Sequence, residues 1–280
     1  MSLSPRWTLT GGASAPAVLR PPPGCRHIDV VSDLHLGPQV PATAQAFRDY
    51  LARTTADALL LLGDIFEVWI GDDLLDAPDS FEGPIVADLR HASERLAIAF
   101  QHGNRDFLVG AGFAERAGCQ LLPDPVALEL GGQRLLLMHG DALCLDDEKY
   151  QTFRREVRSP AWAEAFLARP LSQREAIAAQ MRAASEARKQ QGAAESYGDL
   201  DRAAMVAALT TAGTTQLVHG HTHRPTSETL AEGLQRWVLS DWDLEPGCER
   251  PRAEVLRLGA DGSIRRLRLD EACTPVTPVV

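Results

Sequence analysis

Two histidines, His221 and His223, stand two positions apart in the stretch Leu217–Pro225. The short apolar run before them is typical of a strand, so both imidazoles are expected on the loop that follows it. Neutral imidazole is the commonest protein ligand for divalent transition metals. A histidine pair alone is weak evidence, because many such pairs are surface or core residues. A metal site would require matching ligands from other strands.

Polar residues follow other short apolar runs in the same way. Segments this short and this apolar are typical of buried strands, and the stretches around Thr43–Thr54 and Phe81–Glu94 have the apolar spacing of helices. This alternation predicts an α/β fold with helices on the faces of a sheet. In such folds, ligands bind at the carboxyl ends of the strands. The apolar runs are Ile28–Val31, Ala58–Leu62, Leu96–Phe100, Leu135–Met138 and Gln216–Val218.

The side chains at these strand ends are all oxygen or nitrogen donors. Mixed histidine and carboxylate sites suit Mn, Fe or Zn better than Ca. One ion with an open position needs fewer ligands, so the set fits two ions that share a bridging carboxylate. Two ions about 3.5–4 Å apart can activate a water molecule and clamp both oxygens of an in-line phosphoryl displacement. The candidate ligands are Asp33, His35, Asp64, Asn104, His139, His221 and His223.

Each candidate taken singly has a simpler interpretation. Asp33 and Asp64 could be turn or helix-cap residues, and Asn104 could be a turn residue. His139 could be a hydrogen-bonded core histidine. The order of the motifs along the chain, Asp-x-His, Gly-Asp, Gly-Asn, His and Gly-His-x-His, favours a metal site over these interpretations.

This order resembles the calcineurin-like metallophosphoesterases and covers the range Asp33–His223. That family usually has a histidine after the asparagine, whereas this chain has Arg105. The segment Gly103–Asp106, together with the segments that begin at Gly63 and His139, is similar to the UDP-2,3-diacylglucosamine hydrolases of lipid A biosynthesis. The resemblance implies a sandwich of β-sheets flanked by helices, with a helical insertion as a lid.

The same resemblance implies how the site is divided. One Mn²⁺ ion would be held by Asp33, His35, Asp64 and His223, and a second by Asp64, Asn104, His139 and His221, so that Asp64 bridges them. The enzyme would hydrolyse the pyrophosphate bond of UDP-2,3-diacylglucosamine to UMP and 2,3-diacylglucosamine 1-phosphate. The implied catalytic residues are Asn104 and Arg105. The implied substrate contacts are Asn104, Arg105, Asp147, Ser185, Lys189 and His221.

Arg105 is expected to stabilise charge on the pyrophosphate, because arginine is always charged and its planar fork fits phosphate oxygens. Its simpler interpretation is a salt bridge to the neighbouring Asp106. Arginine cannot donate a proton near neutral pH, so this site would lack the family's usual acid. The leaving phosphate does not need an acid to protonate it, because a phosphate is a good leaving group. We expect water to attack the phosphorus on the uridine side.

Composition bounds the class of protein. The chain has 280 residues, of which 45% are hydrophobic, and its net charge is −10. This charge argues against a general nucleic-acid binder. The five cysteines are scattered, which favours reduced thiols in the cytoplasm, and no apolar run approaches the roughly 18 residues that span a bilayer. The expected organisation is a flexible tail at 1–24, one domain at 25–272 and a second tail at 273–280.

A helical insertion is expected at about 149–196, where strand signals are absent. Phe153 and Val157 are four residues apart, as are Trp162 and Phe166, so each pair shares a helix face. These faces could line a groove for two acyl chains, or they could build the insertion's own core. The insertion is slightly basic, which could place it on anionic lipid or merely give it a solvated surface. The resemblance favours a monomer, peripheral on the cytoplasmic face of the inner membrane.

Two other functions remain open. Another metallophosphoesterase, acting on nucleotides or phosphodiesters, would keep the metal site and lack the lipid groove. A catalytically inactive scaffold would usually have lost ligands, whereas all seven candidates are present.

Overall fold

The computed structural model describes residues 6–190 and 198–275, and the side chains of residues 184–190 lie outside that description. Within it, the chain forms two β-sheets and flanking helices. The strands are β1 Thr8–Thr10, β2 Ala17–Arg20, β3 His27–Val31, β4 Ala58–Leu62, β5 Ala97–Gln101, β6 Gln120–Leu122, β7 Val126–Leu130, β8 Gln133–Met138, β9 Gln216–His219, β10 Thr226–Ala231, β11 Leu234–Val238, β12 Glu254–Gly259 and β13 Ile264–Arg268. The helices are α1 Pro41–Arg53, α2 Glu82–Ala92, α3 Ala111–Ala117, α4 Glu148–Val157, α5 Pro160–Leu167, α6 Leu171–Gln190, α7 Arg202–Ala212 and α8 Leu269–Ala272, with short 3-10 turns at Asp72–Asp76 and Asp141–Leu143.

The two sheets pack face to face. One has the strand order β1-β2-β7-β8-β9-β11-β10 and the other β13-β12-β3-β4-β5-β6. Buried aliphatic side chains from both sheets, such as Leu60 and Leu137, form the core between them. Helices α1, α2 and α3 cover the outer face of the smaller sheet, and α7 covers that of the larger sheet. The predicted sandwich of sheets flanked by helices is therefore confirmed.

Local signals explain several element boundaries. Helix α1 begins with Pro41, whose missing N–H costs nothing in the first helical turn. Helix α7 begins where the Asp201 carboxylate accepts a hydrogen bond from the Ala204 N–H at 2.7 Å. It ends at Gly213, which has the left-handed conformation that glycine adopts without a Cβ penalty.

The strands that carry the candidate ligands run parallel to one another within each sheet. Strands β3, β4 and β5 are mutually parallel, and β8 and β9 are parallel in the other sheet. Strand β4 is buried along its whole length, because helices cover one face and the second sheet covers the other. The loops after these strands converge on one rim of the sandwich, where Asn104 Oδ1 after β5 lies 3.1 Å from His139 after β8 and 2.8 Å from His221 after β9.

The prediction of a flexible tail at 1–24 is wrong for the part of it that the structure describes. Strand β2 pairs in parallel with β7, and β1 pairs antiparallel with β2. Leu19 and Trp7 are buried, so this segment extends the larger sheet and covers part of its core. The proline and glycine residues around β2 obscured a strand of only four residues. In the predicted tail at 273–280, Cys273 packs against the core, and residues 276–280 lie outside the described part.

The stretch between β8 and α7 is helical, as predicted, over helices α4, α5 and α6. Val157 and Phe166 are buried, whereas Phe153 is 38% exposed. Arg174 of α6 is buried and donates to the Asp73 carboxylate and to the Ile70 carbonyl oxygen. The insertion is thereby fastened to the loop after β4. In the described residues, no helix has the length and apolar character needed to cross a membrane.

Candidate dinuclear metal centre

All seven candidate ligands lie within a few residues of a strand's carboxyl end. Asp33 and His35 follow β3, Asp64 follows β4, and Asn104 follows β5. From the other sheet, His139 directly follows β8, while His221 and His223 follow β9. The rim of the sandwich therefore collects donors from both sheets.

The backbone at this rim has an unusual conformation. In residues 6–190 and 198–275, positive φ angles occur at five residues other than glycine, and every one is a candidate ligand. This left-handed conformation costs a non-glycine residue about 1–3 kcal/mol and persists only where the surroundings impose it, often at functional sites. The five are Asp33 (56°), His35 (48°), Asp64 (53°), His221 (68°) and His223 (53°).

Glycines beside the ligands leave no room for a side chain. A Cβ added at Gly103 would overlap the carboxylate of Asp64, and one at Gly220 would overlap that of Asp33. The close approach at Gly220 lets the loop after β9 pack against the loop after β3 of the other sheet. The close approach at Gly103 lets the loops after β4 and β5 of the smaller sheet pack against each other. The glycines of the Gly-Asn and Gly-His-x-His motifs therefore have a packing role that supports the ligands.

The first group of donors consists of Asp33, His35 and His223, whose ligand atoms all lie within 4.8 Å of one another. The Nε2 atoms of His35 and His223 are 3.1 Å apart, and His223 Nε2 is 3.4 Å from Asp33 Oδ1. His35 Nε2 is 3.8 Å from Oδ2 of Asp64. These four residues are the set expected for the first ion.

The second group forms around Asn104. Its Oδ1 lies 3.1 Å from His139 Nε2 and 2.8 Å from His221 Nδ1. His139 Nε2 is 3.6 Å from Oδ1 of Asp64. Asp64 therefore directs one carboxylate oxygen toward each group, an arrangement that suits a bridging ligand.

The donor set fits two divalent cations. Ligand atoms bonded to one ion at roughly 2 Å lie roughly 3 Å from each other, which matches the spacings within each group. Two imidazole nitrogens that face each other, such as Nε2 of His35 and of His223, converge on a common point. The donors are histidine nitrogens, carboxylates and one neutral amide oxygen, a set that suits transition-metal ions.

Further residues orient the imidazoles from behind. His35 Nδ1 lies 3.0 Å from Glu67 Oε2, and His139 Nδ1 lies 2.9 Å from the Leu62 carbonyl oxygen. His223 Nδ1 lies 3.7 Å from Asp241 Oδ2. Such partners fix the tautomer and orientation of metal-binding histidines. The sequence reasoning missed Glu67 and Asp241, although Asp241 follows β11 in the same way that the ligands follow their strands.

The electrostatic environment of the donor set favours positive charge. Burial alone would lower the pKa of His139, but the carboxylates of Asp64 and Asp33 outweigh it and raise that pKa to about 9. Burial, and then the positive charge of His139, lower the pKa of His221 to about 4. The buried carboxylates thus favour a proton on His139, and the resulting positive charge disfavours a second proton on His221. This pattern is expected at a site whose carboxylates would be neutralised by bound cations.

Arg105 lies at the edge of the donor set. Its Nη1 is 3.7 Å from Glu67 Oε1, and its backbone N–H donates to Asp64 Oδ1 at 2.8 Å. The simpler interpretation, a salt bridge to Asp106, is wrong. The Asp106 carboxylate is buried and accepts hydrogen bonds from the backbone of Gly103 and Ile65, both at 2.8 Å.

The helical insertion contacts the centre at several points. The Arg182 guanidinium of α6 lies 3.5 Å from Glu67 Oε1. Arg158, in the turn between α4 and α5, donates to the Gly103 carbonyl oxygen at 2.7 Å. The ring of Tyr150 stacks beside His221 with centroids 6.3 Å apart. The insertion is therefore in direct contact with residues that surround the donors.

The remaining predicted substrate contacts lie on the insertion. Asp147 caps helix α4, and its carboxylate accepts from the Tyr150 N–H at 2.9 Å. Ser185 and Lys189 belong to α6, but their side chains lie outside the described part of the chain. A role for these three residues in binding substrate remains a prediction.

Comparisons with known proteins agree with this geometry. Residues 26–225 match the family model described as calcineurin-like phosphoesterase. Proteins named UDP-2,3-diacylglucosamine hydrolase are similar over most of their length. The one from Chromobacterium violaceum is 46% identical over 244 residues, which is 86% of this chain and 98% of the relative. The one from Bordetella pertussis is 45% identical over 238 residues, covering 83% and 92%, and the one from Xanthomonas campestris pv. campestris is 44% identical over 245 residues, covering 83% and 95%.

Proposed function

The chain belongs to the UDP-2,3-diacylglucosamine hydrolase family of calcineurin-like phosphoesterases, and on that premise we propose that it hydrolyses the pyrophosphate bond of UDP-2,3-diacylglucosamine. The products are UMP and 2,3-diacylglucosamine 1-phosphate, and the reaction is a step of lipid A biosynthesis. The observation that carries the proposal is the position of Asp64 between the two donor groups, where its carboxylate faces donors of both and also accepts the Arg105 N–H.

The proposed ligands of the first ion are Asp33, His35, Asp64 and His223, and those of the second are Asp64, Asn104, His139 and His221. Both ions are proposed to be Mn²⁺, which the nitrogen and oxygen donors suit. Two such ions, when bound, activate water and neutralise charge on the phosphoryl oxygens. All candidate ligands are retained and lie together, which supports an active enzyme over an inactive scaffold.

Arg105 would bind the pyrophosphate oxygens and stabilise the charge that develops on them. Its side chain is 22% exposed and reaches Glu67 only at 3.7 Å, so it can turn toward an anionic substrate. Asn104 presents its amide oxygen between His139 and His221 and adds no negative charge to a site that admits phosphate. The leaving group is a phosphate, which departs without a proton, so an arginine can stand where the wider family has a histidine.

The insertion would act as a lid that receives the acyl chains. Phe153 and Leu167, together with Leu145 just before α4, are exposed apolar side chains, whereas Val157 and Phe166 pack inward. The insertion thus has buried apolar side chains that build its core and exposed ones that offer apolar surface, and Phe153 and Val157, which are four residues apart, differ in exposure. Exposed apolar side chains on the insertion suit a substrate with two acyl chains.

We also place the enzyme, as a monomer, on the cytoplasmic face of the inner membrane, where the acylated substrate resides. Co-sedimentation with vesicles that contain anionic lipid tests this placement. Binding at low salt that weakens at high salt supports it, because polybasic attraction is screened by salt. Failure to sediment with the vesicles at low salt contradicts it.

A comparison of substrates tests the proposed reaction. The full chain, loaded with Mn²⁺, is assayed with UDP-2,3-diacylglucosamine, with UDP-glucosamine that lacks acyl chains, and with a simple phosphodiester. The proposal predicts that the diacylated substrate has much the highest kcat/KM. Equal kcat/KM for the simple phosphodiester would show instead a general phosphodiesterase.

A further inference from the structure

A polar groove opens beside the metal centre and shares His223 with it, while its other lining residues have no role in the proposed chemistry. Its volume is about 480 Å³, which lies within the roughly 300–1,000 Å³ of small-molecule sites. The walls come from the loop after β9, from strands β10 and β11, and from the segment before β12. The lining residues are Asp199, His223, Arg224, Pro225, Thr226, Glu228, Arg236, Arg250 and Arg252.

Two of the arginines have their charge offset by the protein. Arg236 is buried and pairs with Glu228 at 2.8 Å and with Asp199 at 2.6 Å. Arg252 pairs with Asp241 at 2.7 Å. These ion pairs hold the arginine side chains of the groove in place. Arg252 and Asp241 cancel each other's charge, whereas Arg236 with its two carboxylates carries a net charge of −1 (+1 − 2).

The other two arginines supply uncompensated positive charge. Arg224 and Arg250 are exposed, and within the residues that the structure describes neither has a carboxylate within the 4.0 Å of an ion pair. The protein as a whole is acidic, with a net charge of −10. A local excess of guanidinium groups in such a protein favours an anionic ligand, and guanidinium binds phosphate oxygens in a planar fork.

The groove is also tied to the metal centre. His223 lines it and belongs to the first donor group. The Arg252 guanidinium donates to the His223 carbonyl oxygen at 3.3 Å, and its partner Asp241 lies behind the His223 imidazole. A molecule seated in the groove therefore extends to the donors. Among the lining residues that the structure describes, Pro225 alone has an apolar side chain, so the groove suits a polar group and not an acyl chain.

We propose that this groove binds the nucleoside monophosphate half of the substrate, with Arg224 and Arg250 as its phosphate-binding and orienting residues. The inference rests on the proposed function. It divides the substrate by polarity: the acylated sugar lies against the apolar surface of the insertion, the nucleotide lies in the arginine-lined groove, and the scissile bond lies between them at the metal centre.

Titration calorimetry with the Mn²⁺-loaded full chain tests this proposal. The ligands are UMP, inorganic phosphate and uridine, and the variant is the double substitution Arg224→Ala with Arg250→Ala. Both side chains are exposed, so the variant is expected to fold. The control is Arg202→Ala with Arg265→Ala, which removes the same charge from two exposed arginines outside the groove.

We expect the Kd for UMP to rise about 10-fold or more in the groove variant, because the variant loses at least one charged hydrogen bond to the phosphate. The Kd for inorganic phosphate, which reaches the metal centre without the groove, should change far less, and the control should bind UMP as the native chain does. An unchanged Kd for UMP in the groove variant would overturn the proposal. So would an equal loss in the control, or a native chain that binds UMP no better than phosphate.

This measurement is independent of turnover. If the native chain fails to hydrolyse the diacylated substrate but the groove variant still has a raised Kd for UMP, the nucleotide site is supported and the proposed function is contradicted. If hydrolysis is observed and UMP binding is the same in both proteins, the proposed function stands and the nucleotide site fails.

Discussion

Glu67 holds His35 from behind: its Oε2 lies 3.0 Å from His35 Nδ1, while His35 Nε2 faces the donor set. The other carboxylate oxygen of Glu67 lies 3.7 Å from Arg105 and 3.5 Å from Arg182 of the insertion. Burial opposes the charged carboxylate, but the hydrogen bond from His35 and the charge of Arg105 lower the pKa of Glu67. One carboxylate thus connects a candidate metal ligand, the candidate substrate arginine and the insertion.

Replacing Glu67 should weaken metal binding without unfolding the protein. We expect Glu67→Ala to lower Mn²⁺ affinity or kcat/KM by roughly 10- to 100-fold, the usual effect of losing the partner of a metal-binding histidine. Glu67→Gln keeps an oxygen that can accept from Nδ1 and should lose less. Metal titration and steady-state kinetics measure both effects. The control is Glu115→Ala, at an exposed position, and equal values for all of these proteins would show that Glu67 does not position His35.

The glycine of the Gly-Asn motif can be tested in the same way. A Cβ at Gly103 would overlap the Asp64 carboxylate, so Gly103→Ala should displace the bridging ligand and leave fewer than two ions bound per chain. Gly83→Ala is the matched control, because a Cβ there would have its nearest neighbour at 3.8 Å and alanine favours a helix. Elemental analysis of the purified proteins measures the metal content. Full occupancy in Gly103→Ala would contradict the proposed bridge.

Arg105→Ala should separate catalysis from metal binding. The substitution removes the guanidinium but keeps the backbone N–H that donates to Asp64, so the metal content should be unchanged. We expect kcat to fall by about 100-fold or more, as when a preorganised charge-stabilising group is removed. Arg116→Ala, at an exposed arginine beside Asp76, is the control. Native kcat in Arg105→Ala would remove this residue from the mechanism.

The buried ion pair between Asp29 and Arg257 should contribute strongly to the free energy of unfolding. Arg257 donates to both carboxylate oxygens of Asp29, at 2.7 and 2.9 Å, and both residues are buried. Arg257→Ala leaves the Asp29 charge uncompensated and should lower the free energy of unfolding by about 3–5 kcal/mol. Arg20→Ala breaks an exposed pair with Glu129 and should cost about 1 kcal/mol or less. Urea unfolding compares the two, and equal losses would contradict this account.

Much of the site could be predicted because strand periodicity and ligand chemistry are local signals. An apolar run followed by Asp33 or His139 indicates both a buried strand and a donor at its end, and parallel strands bring such ends together. The partners Glu67 and Asp241 were missed because the order of residues along the chain does not reveal which carboxylate will contact which imidazole. That information exists only once the loops have folded against each other.

The missed elements share a different cause. Strand β10, Thr226–Ala231, has one buried residue and no apolar run, because it is the edge of its sheet and faces solvent. Strand β2 is short and lies among prolines, so its pairing with β7 depends on an edge supplied by distant residues. Elements whose stability comes from such non-local pairing leave little trace in local composition.

Identification of the products is the most direct test of whether this chain hydrolyses the pyrophosphate bond with the help of bound metal. The Mn²⁺-loaded full chain is incubated with UDP-2,3-diacylglucosamine in water labelled with heavy oxygen, with and without a chelator, and the products are identified by mass spectrometry. We expect labelled UMP and unlabelled 2,3-diacylglucosamine 1-phosphate, with no products when the metal is removed. Release of UDP with an unphosphorylated sugar lipid, or undiminished hydrolysis in chelator, would contradict it.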